Sequence, residues 1–497
     1  MLKRILLFID RYHWLWLLFL SPFLIFPSKE RIFLILLFPG IWIVHFINCK
    51  AVSRETEPVI LPVTPLNGSL LLLMVMVIVS VWVTYNLDLS LEKISGLILG
   101  FGLYFSILRL SEGRTGWWYS LLGFLGAGFA WGIGSFFGMD YQIRFSFLTK
   151  LIDRIPRPFT NIPGFGEGLQ HNAAGGTLLW VIPIFIVLSI YFSRRLLTIN
   201  QAIKGGIQNQ PGLDDKQSEP KNFREKIRNP ILKFTLSLTQ DSMILVRFLC
   251  ASLIATLIFL CFVLFISQSR GSYLALGITL ILMMALAIPR RWRTFYIFGI
   301  ISLIGITILV ISSNQGWEEL ILRYNLSDQS GFTIDSIQDR LEIWPRALFA
   351  IRHFPITGMG MNTFREVVHK LYPLFHIAPT VDIAHAHNEF LQAALDLGIP
   401  GLISFLSIYW ICYWMLWRTW HAEHFILSDE IEKTGNIIPL RRIMVLGLGG
   451  GLTAHMFFGF ADAITLGAKP GAFFWILLGL IAGLFRLVNE ETPLKIG

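Results

Sequence analysis

Two histidines, spaced two residues apart, carry the clearest chemical signal in this sequence. They belong to the stretch His385-Ala-His-Asn-Glu-Phe-Leu-Gln-Ala-Ala-Leu-Asp-Leu-Gly398, where a polar segment meets an apolar run. Imidazole titrates near neutral pH, so a histidine here can accept or deliver a proton. Asp382 and Glu389 are close in sequence, but no HExxH-type spacing occurs, so we predict no metal. The structural alternative is a histidine that caps or orients the following helix.

Arg270 lies in a short Ser-Gln-Ser-Arg-Gly segment between two apolar runs. Its guanidinium offers five donors in a fixed fork, a geometry that suits a phosphate or diphosphate. Hydroxyls of Ser267, Ser269 and Ser272 surround it in sequence. The alternative is an interfacial arginine whose side chain reaches the lipid headgroups.

Arg340 occurs in the polar stretch Gln-Asp-Arg-Leu-Glu-Ile-Trp, four residues before Trp344. On a helix this spacing places both side chains on one face. An amphipathic helix resting on the membrane is the alternative explanation. The following Gly358-Met-Gly-Met-Asn segment predicts a turn in which glycines permit a close backbone approach.

The composition shows what kind of protein must position these residues. Of the 497 residues, 54% are hydrophobic and 15% are charged, whereas soluble domains carry roughly 25% charged residues. The chain is therefore predicted to be a polytopic membrane protein. The net charge of +9 is no nucleic-acid signal, because the excess lies in short loops between apolar runs. The four cysteines have no CxxC spacing and suggest neither disulfides nor zinc.

The apolar runs predict an all-α fold of about twelve transmembrane helices, each long enough to cross roughly 30 Å of hydrocarbon. The runs are continuous rather than alternating, which argues against strands. The predicted spans lie near 12–27, 31–48, 68–86, 94–110, 116–137, 172–192, 243–267, 271–288, 294–312, 397–417, 442–463 and 471–488.

Lysine and arginine in the loops predict the orientation of these spans. Basic residues cluster in 193–242, 289–293 and 441–442, which places these segments in the cytoplasm and the 267–271 turn outside. The predicted organisation is N-terminal spans in 1–137, an outer loop in 138–171, central spans in 172–312 with a flexible cytoplasmic linker in 193–242, a large extracytoplasmic loop with short helices in 313–396, and C-terminal spans in 397–497.

Asp462 and Lys469 flank a short segment that this topology also places outside. They are predicted to brace the large loop beside the reacting groups. The alternative is a helix cap and an interfacial anchor.

Two of these motifs resemble the O-antigen ligase and polymerase superfamily. His387-Asn388, nine residues and then Gly398 resemble its His-[Asn/Ser/Gln]-x9-Gly pattern. The Ser-Gln-Ser-Arg270-Gly segment is similar to its Ser-x-Ser-Arg-Gly signature. The resemblance covers about 160–490, while the N-terminal spans match only in hydropathy.

Two further segments extend the resemblance. Arg340-x3-Trp344, followed by the Gly358 turn, looks like the loop-arginine region of the superfamily. The Gln-His-Asn172-Ala-Ala-Gly segment is similar to the asparagine-containing entry to a central span.

The resemblance implies a GT-C-like, inverting glycosyltransferase in the inner (cytoplasmic) membrane, with its site facing outside. Such enzymes take a glycan from a polyprenyl diphosphate carrier and use no nucleotide sugar, metal or other cofactor. The implied partners are this donor, a glycan, lipid A core or glycolipid acceptor, and the bilayer, with no nucleic acid.

The chemistry implied by the resemblance can be assigned residue by residue. Arg270 and Arg340 would neutralise the diphosphate as its charge develops, and His387 would take or orient the acceptor proton. The expected substrate contacts are His385, Asn388, Trp344, Asn172, Asp462 and Lys469.

Other functions stay open on the sequence alone. An O-antigen or exopolysaccharide polymerase would use the same donor chemistry as a ligase. A solute or bicarbonate transporter would place ionisable residues at mid-membrane, whereas here Arg247 and Asp462 lie near span ends. A flippase would require a charged cavity across the bilayer, and a purely structural role leaves the outer arginines and histidines unexplained.

Overall fold

The computed structural model describes residues 62–111, 113–141, 146–156, 169–208, 230–313, 337–422 and 440–490, together with isolated positions 40, 43, 44 and 47. The helices in these residues are α1 (Asn67–Val83), α2 (Leu87–Leu110), α3 (Arg114–Gly138), α4 (Thr149–Ile152), α5 (His171–Leu178), α6 (Ile182–Gln208), α7 (Pro230–Ser267), α8 (Arg270–Ala287), α9 (Arg290–Ser313), α10 (Ile337–His353), α11 (Phe364–Leu371), α12 (Glu389–His421), α13 (Leu440–Phe458) and α14 (Ala472–Glu490). Short 3-10 turns cover Ser146–Leu148 and Lys469–Gly471. The predicted all-α membrane fold is confirmed.

Strands are reduced to one pair of two-residue segments within the described part of the chain. Strand β1 (Met139–Asp140) pairs in parallel with β2 (Leu169–Gln170). The pair joins the end of α3 to the start of α5. It is too short to show in a hydropathy pattern, which explains why the continuous apolar runs did not predict it.

Seven segments of the described chain are long and apolar enough to cross a membrane. They are Leu87–Leu110, Arg114–Gly138, His171–Thr198, Ile244–Ser267, Arg270–Ala287, Glu389–His421 and Lys469–Asn489. Helices α1, α9 and α13 coincide with three more of the predicted spans. The spans predicted near 12–27 and 31–48 lie outside the described residues, apart from the isolated positions. The total of about twelve spans therefore stays a prediction.

The predicted linker 193–242 is helical at both of its ends. Helix α6 continues to Gln208 and α7 begins at Pro230. Residues 209–229 lie outside the described part of the chain.

The apolar helices form one large core. Helix α14 packs between α2 and α12, and α13 packs between α6 and α8. Trp117, Trp180 and Trp475 are fully buried in this core. The three helices next to the histidine segment, α8, α12 and α13, thus each pack against other helices of the described chain.

The described part of the large loop has a smaller core of its own. Ile343 and Ala347 of α10 pack with Phe364 and Val368 of α11. On its surface, the Arg365 side chain forms a salt bridge with Asp382. The loop is therefore a folded unit in which α10 can hold a fixed position.

This unit crosses helix α12 at a pair of glycines, as the glycine turn predicted. Gly358 has φ +68° and Gly398 has φ +70°, and a Cβ on Gly398 would lie 2.2 Å from the Ile356 carbonyl oxygen. The Met359 N–H donates to the Leu395 carbonyl at 2.7 Å. Helix α12 is therefore kinked at Gly398, and its first turns are bonded to the loop.

Candidate functional site

The histidine segment ends in a well-formed helix cap. The Asn388 side-chain oxygen accepts hydrogen bonds from the backbone N–H groups of Phe390 and Leu391, each at 3.0 Å. Asparagine is a favoured N-cap because it satisfies donors that have no partner within the helix. Capping is thus performed by Asn388, which leaves the two imidazoles for other contacts.

His387 has a backbone conformation that non-glycine residues rarely adopt. Its φ is +48°, a region that costs roughly 1–2 kcal/mol for an L-residue. The neighbouring peptide is fixed on both sides: the Ala386 N–H donates to Gln392 Oε1 at 2.8 Å, and the Ala386 carbonyl accepts from Trp344 Nε1 at 3.1 Å. Strain of this kind persists where the surroundings over-determine it, often at a functional site.

Both imidazoles meet the carboxylate of Asp462, which comes from the segment after α13. Asp462 Oδ1 lies 3.2 Å from His385 Nε2 and 3.7 Å from His387 Nδ1. The backbone N–H of His387 donates to His385 Nδ1 at 3.1 Å. Since that nitrogen accepts, His385 carries its proton on Nε2 and can donate it to Asp462.

This cluster is closed off from water. His387 is 3% exposed and Asp462 is 1% exposed. Asp462 Oδ1 also accepts the Ala463 N–H at 2.9 Å, while its Oδ2 is buried with no hydrogen-bond partner in the described part of the chain. Charge–charge interactions are stronger in such a dry environment than in water.

Glu389, the first residue of α12, holds the segment that carries Asp462. Its carboxylate accepts the backbone N–H of Ile464 at 2.9 Å, Thr465 at 3.1 and 3.2 Å, and Leu466 at 3.2 Å. Its own N–H donates to the Gly459 carbonyl at 2.7 Å. From the sequence, Glu389 was only a carboxylate near the histidines. Its partners are about 75 residues away, so no local pattern could reveal this role.

Two buried side chains in the first turns of α12, Gln392 and Asp396, extend this hydrogen-bond network. Gln392 Nε2 donates to Asp396 Oδ1 at 2.8 Å, and the same oxygen accepts the Asn362 N–H at 3.0 Å. Through Gln392 the network reaches the Ala386 peptide. The sequence did not point to either residue, because polar residues on an apolar helix give no sign of their partners.

The Arg270 turn packs against both neighbouring parts of the site. A Cβ on Gly271 would lie 3.1 Å from Ala461 Cβ, next to Asp462. On the other side the Ser269 hydroxyl donates to Asn172 Oδ1 at 2.9 Å. Arg270, at the N-terminus of α8, therefore begins its helix beside the segment that carries Asp462.

Arg340 belongs to α10 of the folded loop. It lies one turn before Trp344 on α10, and Trp344 bonds to Ala386 between the histidines. Arg340 Nε is buried and has no hydrogen-bond partner within the described residues. A shared helix face with Trp344 directs Arg340 toward the same side of the loop.

Lys469 is placed elsewhere than the predicted bracing pair requires. Its ammonium lies 3.7 Å from Glu92 Oε1 of α2, and both side chains are substantially exposed. Asp462 instead contacts the histidines. The structure thus brings together segments bearing the other predicted site residues, while Lys469 contacts α2.

The donor atoms of His385, His387 and Asp462 lie within 4.8 Å of one another. Two imidazoles and a carboxylate are a ligand set that zinc and related cations accept. The sequence spacing did not suggest this cluster, because its third member comes from another helix end. Metal independence accordingly stays a prediction, and a chelation experiment decides it.

Part of this chain matches a known protein family. Residues 255–406 match a family model described as O-antigen ligase. The match contains Arg270, Arg340, Trp344 and the two histidines, so the predicted resemblance to the O-antigen ligase superfamily is confirmed there.

A relative provides a second comparison. An uncharacterized protein of Haemophilus influenzae (strain ATCC 51907 / DSM 11121 / KW20 / Rd) is 27% identical over 153 residues. The alignment covers 29% of this chain and 37% of that protein. The chain thus matches little more than a third of the relative's length.

Proposed function

We propose that this multi-pass membrane protein, which matches the O-antigen ligase family over residues 255–406, is a glycosyltransferase. It transfers a glycan from a polyprenyl diphosphate carrier to an acceptor hydroxyl. The observation that carries the proposal is a strained, buried His387 beside Asp462, in contact with segments that bear two arginines.

The histidine supplies the proton acceptor in this mechanism. Asp462 beside His387 Nδ1 favours the tautomer with its proton on Nδ1, leaving Nε2 to take the proton of the acceptor hydroxyl. The acceptor oxygen then bonds to the anomeric carbon from the face opposite the diphosphate. The anomeric C–O bond breaks, its electron pair leaves with the diphosphate, and the configuration inverts.

The arginines supply the countercharge. As the C–O bond breaks, negative charge grows on the leaving diphosphate, and preorganised donors stabilise that charge in the transition state. Arg270 belongs to a turn that packs beside the Asp462 segment. Arg340 is on a helix that bonds to the peptide between the histidines. Two forked guanidiniums can thus approach one diphosphate from separate elements.

A reaction with purified protein and a lipid-linked glycan donor tests the chemistry. His387→Ala should reduce transfer by about 10²–10⁴-fold, the usual contribution of a general base, and His385→Ala should reduce it less. His353→Ala is the matched control, since His353 contacts Tyr372 in the loop instead. Full activity of His387→Ala removes the histidine from the mechanism.

The same reaction in excess chelator tests for a metal. We expect turnover without added cation, because the arginines carry the countercharge. Strict dependence on magnesium, manganese or zinc would instead assign the cluster of His385, His387 and Asp462 to a cation.

We favour ligation to a lipid A core or similar glycolipid as the reaction, with chain polymerisation as the alternative. Deletion of the gene in its host separates them. Loss of long chains from the lipid anchor, with accumulation of lipid-linked polymer, indicates a ligase. Anchors that carry a single repeat indicate a polymerase, and unchanged surface glycan contradicts both.

We also propose that the site faces outside the cytoplasmic membrane. The proposal rests on the basic residues of 193–242 and 289–293, which favour the cytoplasm. A cysteine placed at Ser330 should react with an impermeant thiol reagent in intact cells once the native cysteines are replaced. Reaction only after permeabilisation would contradict this orientation.

A further inference from the structure

A cavity of about 330 Å³ lies between helices α8, α12 and α13, far from the histidines. Its lining includes Leu282, Met283, Leu416, Trp417 and Val445, and Arg293 stands at its edge on α9. The volume is in the range of small-molecule sites. None of the proposed chemistry uses it.

The cavity lies along the middle of α13 and toward the ends of α8 and α12 that are opposite the site. Helix α8 begins at Arg270 and lines the cavity as far as Leu286, which is about 24 Å along the helix axis at 1.5 Å per residue. Helix α12 starts beside the histidines and reaches the cavity in its last turns, up to His421. Substrate bound near Arg270 would therefore keep its charged diphosphate away from this cavity.

Two arginine side chains place positive charge at one end of the cavity. One terminal nitrogen of Arg293 donates to the Leu286 carbonyl at 3.3 Å, while its Nε is buried without a hydrogen-bond partner in the described residues. The Arg442 guanidinium lies 5.2 Å from the centre of the Trp420 ring, beside the cavity. Tryptophan and arginine at the end of an apolar space are typical of the interface between hydrocarbon and headgroups.

We propose that this cavity binds an anionic phospholipid, with an acyl chain between α8, α12 and α13 and its phosphate on Arg293. The apolar walls favour a hydrocarbon chain, and the buried Arg293 Nε–H favours an anion as its acceptor. A polyprenyl diphosphate donor is a poorer fit. Its diphosphate would be near Arg270, and its tail carries no charged group that could bind Arg293. The proposal does not depend on the proposed function.

A glycine in the cavity wall gives a sharp test. A Cβ on Gly449 would meet only Leu416 Cδ1, at 3.4 Å, so the added Cβ causes no backbone clash, and the rest of the Gly449→Leu side chain should occupy cavity space. Gly277→Leu is the matched control, because a Cβ there meets nothing within 4 Å and Gly277 is exposed on α8. Arg293→Gln, with the exposed Arg291→Gln as its control, tests the headgroup contact.

The measurement is native mass spectrometry of the detergent-purified full chain, titrated with phosphatidylglycerol. We expect one retained lipid in wild type and both controls, and about tenfold weaker binding, or 1.4 kcal/mol, in Gly449→Leu and Arg293→Gln. Phosphatidylcholine should bind weakly, inorganic phosphate should not compete, and polyprenyl phosphate should not displace the lipid.

Unchanged retention in Gly449→Leu would overturn the location, and equal retention of phosphatidylcholine would overturn the anionic headgroup. Competition by phosphate alone or displacement by polyprenyl phosphate would assign the cavity to another ligand. Because a lipid that binds only the folded state stabilises it, phosphatidylglycerol should also raise the thermal midpoint of wild type. The same rise in folded Gly449→Leu would likewise refute the proposal.

Discussion

Replacement of Glu389 by glutamine tests whether the Asp462 segment must be held in place for activity. The carboxylate accepts from three backbone N–H groups, those of Ile464, Thr465 and Leu466. Glutamine retains one acceptor oxygen and turns an NH₂ group toward the remaining donor. That donor is buried, and a buried donor without an acceptor costs about 1–3 kcal/mol. The free energy of unfolding should fall by this amount.

The same substitution should also slow the reaction. A shift of the Asp462 segment by about 1 Å would misplace the imidazoles, and a misplacement of that size can cost roughly 10²-fold in rate. We therefore expect Glu389→Gln to lower kcat by about 10–100-fold with little change in KM. Transfer from a lipid-linked donor gives both constants, and thermal unfolding in detergent gives the stability.

Glu92→Gln is the matched control for this experiment. Glu92 pairs with Lys469 near the same segment, but its side chain is 53% exposed, and exposed ion pairs contribute little. It should behave as wild type in both assays. Wild-type kcat in Glu389→Gln, at normal stability, would show that the backbone contacts are dispensable and would refute the reasoning.

Three further predictions concern the charges and the kink. Arg270→Ala and Arg340→Ala should abolish transfer in folded protein. Lysine at either position should restore little activity, because its point charge cannot reproduce the forked donors of a guanidinium. Wild-type rates for both lysine variants would contradict a forked contact. Asp462→Asn should lower kcat by on the order of 10²–10⁴-fold at normal donor binding, and an unchanged rate would remove the carboxylate from the mechanism. Gly398→Ala should destabilise the protein by more than about 1 kcal/mol, because φ is +70° and the added carbon meets a carbonyl oxygen. The control is Gly126→Ala, where a Cβ meets nothing within 4 Å, and it should melt at the wild-type temperature. Equal melting temperatures of the two variants would argue against strain at Gly398.

Local patterns predicted much of this fold correctly. Continuous apolar runs coincide with helices throughout the described part of the chain, because length and hydropathy are properties of a single segment. The Gly358 turn was recognised for a similar reason, since a close backbone approach requires glycine. The four-residue spacing of Arg340 and Trp344 indicated one helix face, and both lie on α10.

The contacts that make the site were beyond the reach of such patterns. Asp462 was predicted to brace the loop with Lys469, yet it lies against His385 and His387. Glu389 was one of two acids noted near the histidines, with Asp382. Each of these contacts joins segments about 75 residues apart, and it depends on how α12 and α13 pack, which hydropathy does not encode.

The kink at Gly398 gives a physical meaning to the spacing between His387 and that glycine. Nine helical residues separate the Asn388 cap from the point where the loop crosses α12, a length of about 14 Å at 1.5 Å per residue. The segment therefore sets the distance between the crossing, where one of its ends is fixed, and the His387 imidazole next to its other end. Inserting or deleting one residue would move His387 by about 1.5 Å and turn it by roughly 100°, away from Asp462. Apolar side chains along this segment can change as long as they pack, whereas Glu389, Gln392 and Asp396 are held by their hydrogen bonds and the number of residues between the two ends is fixed.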